Sequence, residues 1–112
     1  LSAHGVISLL LLALPLTVPV AVAGGDAEAG KEKAKACAQC HGETGQSVDP
    51  SFPVLAGQYR DYLIVALEEY KAGTRKNPIM AGFAATLTDE DRADIAAFYS
   101  EQEGLATIEY AD

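Results

Sequence analysis

Cys37-Ala38-Gln39-Cys40-His41 is the stretch on which the reading of this chain turns. The pattern C-x-x-C-H is the attachment signature of a c-type haem. On a helical turn, positions i, i+3 and i+4 share one face. Cys37, Cys40 and His41 can therefore address one flat object together: the two thiols add to the porphyrin vinyl groups, and the imidazole reaches the iron. A bare C-x-x-C could also be a redox dithiol, a disulfide or half of a zinc site. A structural zinc site usually needs four ligands, and this chain has two cysteines and two histidines, one of which, His4, lies in a leader-like segment. A redox dithiol would be expected in a βαβ pattern, and no convincing strand run is present.

Upstream, Val6 to Leu14 is an apolar run that passes through Pro15 and Pro19 to Ala21-Val22-Ala23, a small-x-small cleavage pattern. The prolines argue against a stable membrane span. The basic opening of a leader is missing, and Leu1 stands first. The expected division is a signal peptide at 1–23, its start either truncated or misassigned, and one domain at 24–112. Export to the periplasm agrees with the haem motif, since in bacteria c-type haem is attached outside the cytoplasm. An uncleaved segment would instead tether the protein to the membrane.

Every Lys, Arg, Asp and Glu lies in 24–112, which carries the whole formal charge of −8. Such a surface repels phosphate and argues against nucleic acid as a partner. It suits redox proteins with basic docking surfaces, although acidic residues also simply keep a small exported protein soluble. A core of this size is modest, and a covalently held haem would staple it.

The pattern is all-α. A first helix is expected from Asp26, its N-cap, into the haem motif. Gly30 within it has a helix cost, which close packing of another helix would justify. Gly42 to Ala56 reads as loop. Tyr59, Tyr62, Leu63, Ala66, Leu67 and Tyr70 form an amphipathic stripe on a second helix that stops at Gly73. Thr74 to Leu87 reads as irregular and carries Asn77, Pro78 and Met80. A last helix opens at the N-cap Thr88, buries Ile95, Phe98 and Tyr99, and ends by Gly104.

His41 is the only histidine of 24–112, so a second imidazole from the same domain is excluded. Met80 is the only methionine of the chain. A lone methionine is usually core filler, but in a Pro-containing loop downstream of C-x-x-C-H it reads as the second axial ligand of the iron. Its soft thioether would favour the reduced metal. Two protein ligands would close the iron to substrate, which suits passing electrons rather than an enzyme. Arg75 and Lys76 are candidates to offset the haem propionates, against the plainer reading of both as solvated charges.

With these segments in view, the chain resembles the class I c-type cytochromes. It is most similar to short bacterial periplasmic monohaem carriers and to single domains of dihaem cytochromes c. The resemblance covers residues 25–104 through Cys37 to Gly42, Phe52 to Gln58, Tyr59 to Leu63, and Arg75 to Met80. It implies three main helices with long loops around one covalently bound haem c. It implies thioethers at Cys37 and Cys40, axial ligands at His41 and Met80, and a hydrogen bond from the His41 ring to the Pro53 carbonyl. It also implies that Gly30 packs against Phe98 or Tyr99. The function implied is electron transfer by an Fe(II)/Fe(III) carrier. The alternatives are a cytochrome subunit of a larger oxidoreductase, and a haem sensor or enzyme with a labile Met80.

Overall fold

The computed structural model describes residues 24–105, together with residues 2, 5 and 12–17. The candidate leader at 1–23 lies for the most part outside the described residues, as does the tail beyond Leu105. The described chain forms α1 (Ala27–Lys33), α2 (Lys35–His41), α3 (Arg60–Ala72), α4 (Pro78–Ala84) and α5 (Asp89–Ser100). Among the described residues there is no strand, and no helix is long and apolar enough to cross a membrane.

The expected first helix is two segments. Asp26 caps α1, its carboxylate accepting the N–H groups of Glu28 and Ala29. At Ala34 ψ opens to −2°, and the Ala34 carbonyl accepts both Cys37 N–H at 2.9 Å and Ala38 N–H at 3.0 Å. Such sharing marks a tightened turn between helical segments. The expected helical stop at Gly73 is present, with Gly73 left-handed at φ 80°. Thr88 forms a full capping box with Asp91. The last helix ends at Ser100, short of Gly104.

The segment Thr74 to Leu87 differs from its expected irregularity. Asn77 is an N-cap and Pro78 the first helical residue, and together they start α4. Pro at that position sacrifices no helical hydrogen bond. A glycine at 82 and a run of only seven residues masked the helical register.

α5 organises the core. Ile95, Ala96, Phe98 and Tyr99 are buried together with Ala34 and Leu63, and Leu55, Ile64, Leu67 and Leu87 pack against them. Each large apolar side chain so buried contributes roughly 1.5–3 kcal/mol. α1 and α3 both pack on α5, while α4 packs on α3. Gly30 allows the first contact: a Cβ there would lie 1.9 Å from the Asp94 carbonyl oxygen and 3.0 Å from Phe98 Cβ. Phe98 is thus the expected partner of Gly30, with the Asp94 backbone closer still.

Two charged side chains, Arg92 and Asp94, are buried on α5. Arg92 donates to the Leu87 carbonyl at 3.0 Å and pairs with Asp89. Asp94 accepts Lys33 Nζ at 2.6 Å and the Asp26 N–H at 2.7 Å. The Asp94 contacts tie α5 to the N-cap and the last residue of α1, whereas Arg92 is held by partners three and five residues upstream. These partners make both charges tolerable inside.

Candidate functional site

α2 ends at His41 because Gly42 takes φ 83°, a conformation a side chain would oppose. The chain then doubles back. Ser47 N–H donates to the His41 carbonyl at 2.7 Å, and Val48 N–H to that of Cys40 at 3.1 Å. The Ser47 hydroxyl lies 2.8 Å from the Phe52 carbonyl. The Leu55 and Ala56 N–H groups close the loop onto the Gly45 carbonyl. This fold carries the Pro53 carbonyl to 2.8 Å from His41 Nδ1. A carbonyl can only accept, so Nδ1 carries the hydrogen, and in the neutral ring that leaves the lone pair on Nε2. His41 is buried, and the Phe52 ring meets it edge-on at 6.4 Å.

Cys37, Cys40, His41, Pro53 and Met80 line one cavity of about 340 Å³. α2 supplies one wall, α4 brings Met80 and Phe83, and α3 adds most of the amphipathic stripe, Tyr62 through Tyr70. Tyr59, at the start of that stripe, lies apart on a polar groove beside Arg60 and Asp61. Tyr62, Ile79 and Phe83 are large apolar side chains left exposed, and all three line this cavity. Their surfaces suit a broad apolar plate, which would remove them from water. The donor set suits the same object: two free thiols, an imidazole with an available Nε2 and a thioether.

Among the described residues, Arg75 is the one lining side chain with a formal charge. Its Nε donates to Glu69 at 2.8 Å, and its guanidinium stacks on the Tyr62 and Tyr70 rings at 5.7 and 5.5 Å. The hydrogen bond to Glu69 pushes its pKa further up. Lys76, by contrast, turns back to the Gly73 carbonyl and does not line the cavity. Asn77, Tyr62 and Phe83 also line it, and the sequence reading assigned them no role there. The i, i+4 spacing of Ile79 and Phe83 was the available signal.

The other readings of the cysteines lose support. Burial pushes the Cys37 thiol pKa up, whereas a reactive dithiol needs a lowered one. Among the described residues, no group of three or more His, Cys, Asp or Glu side chains could hold a metal ion.

Comparison with known proteins agrees with this geometry. The family model described as cytochrome c matches residues 27–102. Cytochrome c4 of Stutzerimonas stutzeri is 45% identical over 112 aligned residues, covering 92% of this chain and 52% of that protein. Cytochrome c-554(548) of Halomonas halodenitrificans is 46% identical over 82 residues, covering 70% of this chain and 99% of that protein. The crystal structure of reduced recombinant cytochrome c4 from Pseudomonas stutzeri superposes with a TM-score of 0.68 at 44% identity, over 79% of this chain and 50% of that one. The chain thus spans about half the length of the cytochrome c4 relatives it matches. Helices, cavity and relatives lead to one assignment: the chain belongs to the cytochrome c family, an all-α class I fold whose haem c is bound covalently through Cys37 and Cys40.

Proposed function

We propose that this chain is a periplasmic one-electron carrier in which His41 and Met80 are the axial ligands. The observation that carries the reading is the convergence, on one apolar cavity, of both thiols, the only histidine of 24–112 and the only methionine. When bound, haem c supplies an iron that alternates between Fe(II) and Fe(III). The Pro53 carbonyl orients the His41 ring and makes it a stronger donor by taking the Nδ1 hydrogen. Met80 adds a neutral, soft donor that favours the reduced metal. The apolar walls exclude water and disfavour the more highly charged oxidised state. Arg75 acts in the same direction and balances the carboxylates of the cofactor. With both axial positions held by the protein, the chain performs no substrate chemistry of its own. The formal charge of −8 suits redox partners with basic docking surfaces.

The test is an absorption spectrum and redox titration of the exported, haem-loaded protein. The expected result is one covalent haem, a weak far-red charge-transfer band of Met-ligated ferric iron and a single one-electron transition. Absence of covalent haem overturns the reading. Ready binding of carbon monoxide to the ferrous protein would point instead to a sensor or enzyme with a labile Met80. A second reading, a cytochrome module of a larger redox assembly, is favoured by the greater length of the cytochrome c4 relatives. Co-purification with an oxidoreductase would support it over the free carrier.

A further inference from the structure

Met80 reaches the cavity from a helix too short to sustain itself. α4 has seven residues, fewer than an isolated helix needs in water. Among the described helices it packs only on α3. Its beginning is set by local chemistry. Pro78, the first helical residue, has no N–H to satisfy and a preset φ. The next two N–H groups, those of Ile79 and Met80, both donate to Asn77 Oδ1 at 3.0 Å. The Asn77 backbone carbonyl accepts the Ala81 N–H at 2.9 Å. The backbone on both sides of the Met80 side chain is therefore tied to one residue, which itself lines the cavity.

We infer that Asn77 is a positioning residue for Met80, its side-chain carbonyl holding the backbone turn from which the thioether reaches the iron. This rests on Met80 being the sixth ligand. The amide suits the place. Aspartate would cap the helix as well, but it would set a negative charge on a wall whose one charged side chain, among the described residues, is Arg75. An added anion there opposes the reduced iron's advantage.

The test uses the full haem-loaded chain and reads imidazole binding to the ferric protein, the far-red band and thermal unfolding. Thr88→Ala serves as the control, because Thr88 caps α5, a helix that bears no axial ligand. Asn77→Ala should tighten imidazole binding on the order of fivefold, the factor that matches loss of a typical cap. Asn77→Asp should restore binding to within about twofold of the parent, since Asp and Asn cap alike, while lowering the reduction potential. Thr88→Ala should lower the melting temperature and leave imidazole affinity unchanged. Unchanged affinity in Asn77→Ala overturns the inference, and so does an equal rise in Thr88→Ala, which would mark general loosening. An aspartate variant as open to imidazole as the alanine variant overturns it too. Met80→Ala separates the two levels. If it leaves the parent spectrum intact, the ligand assignment itself falls. If it abolishes the far-red band while Asn77→Ala is silent, only the positioning role falls.

Discussion

Gly30 of α1 rides on the backbone of Asp94 in α5: a Cβ at Gly30 would sit 1.9 Å from the Asp94 carbonyl oxygen. No flexible side chain can yield at that point, because the obstacle is the main chain of the most buried helix. Gly30→Ala should therefore separate α1 from α5. Overpacking of this kind costs about 1–3 kcal/mol, against which alanine's helix preference returns roughly 0.5–1 kcal/mol. Urea unfolding of the haem-loaded protein should show a net loss with attachment intact. A variant as stable as the parent would mean the helices are free to shift.

The Lys33 ammonium lies 2.9 Å from Asp91 and 2.6 Å from Asp94. Asp91 is held at about 2, chiefly by the Thr88 N–H and then by Lys33. Burial alone would raise Asp94, but Lys33 and the Asp26 N–H outweigh it and hold it below its ordinary value. Carboxyls depressed in the fold stabilise it above their ordinary pKa near 3.8 and lose that contribution as pH falls toward about 2. Lys33, raised by Asp94 and then Asp91, keeps its contribution below its ordinary 10.5 for as long as those two carboxylates stay ionised. The urea midpoint should thus be flat from pH 7 to 5 and fall from pH 4 to 2. Lys33→Met should start lower at pH 5 and lose less on acidification. Parallel curves for the two proteins would remove this network from the acid response.

Met80→Ala should take away the far-red band, admit carbon monoxide to the ferrous protein and lower the reduction potential. A drop of more than about 59 mV corresponds to more than a tenfold loss of preference for Fe(II) in a one-electron couple. Redox titration measures it directly. An unchanged potential would exclude Met80 as the ligand.

Arg75→Gln should also lower the potential, by less than Met80→Ala. The guanidinium is partly exposed, so solvent and salt screen it. The difference from the parent should shrink as salt is raised. Lys76→Gln, whose side chain turns away from the cavity, should leave the potential nearly unmoved. Equal effects of the two substitutions would mean that overall charge, rather than position, is being read.

What the sequence determined by itself is what depends on near neighbours along the chain. Cys37, Cys40 and His41 share a helical face by spacing alone. Asp26, Gly73 and Thr88 mark helix ends through bonds to residues two to four positions away. Tyr62 through Tyr70 announced an apolar face through periodicity, and that face became a cavity wall. α4 was hidden although its signals, Asn77 before Pro78 and Ile79 four before Phe83, were local. They are few, and a seven-residue helix shows barely two turns of any period. Only the tertiary structure decided the rest. Arg75 was separated from Lys76 by the positions of Glu69, Tyr62 and Tyr70 around it. Asp94 became a buried charge because Lys33 and the Asp26 N–H were brought to it from α1, and Glu68 of α3 was brought to 3.8 Å from Arg92 beside its local partners. Which backbone Gly30 must admit depends on a helix more than sixty positions downstream. Local bonds are written in consecutive residues, whereas close approach and charge burial exist only once distant segments have packed.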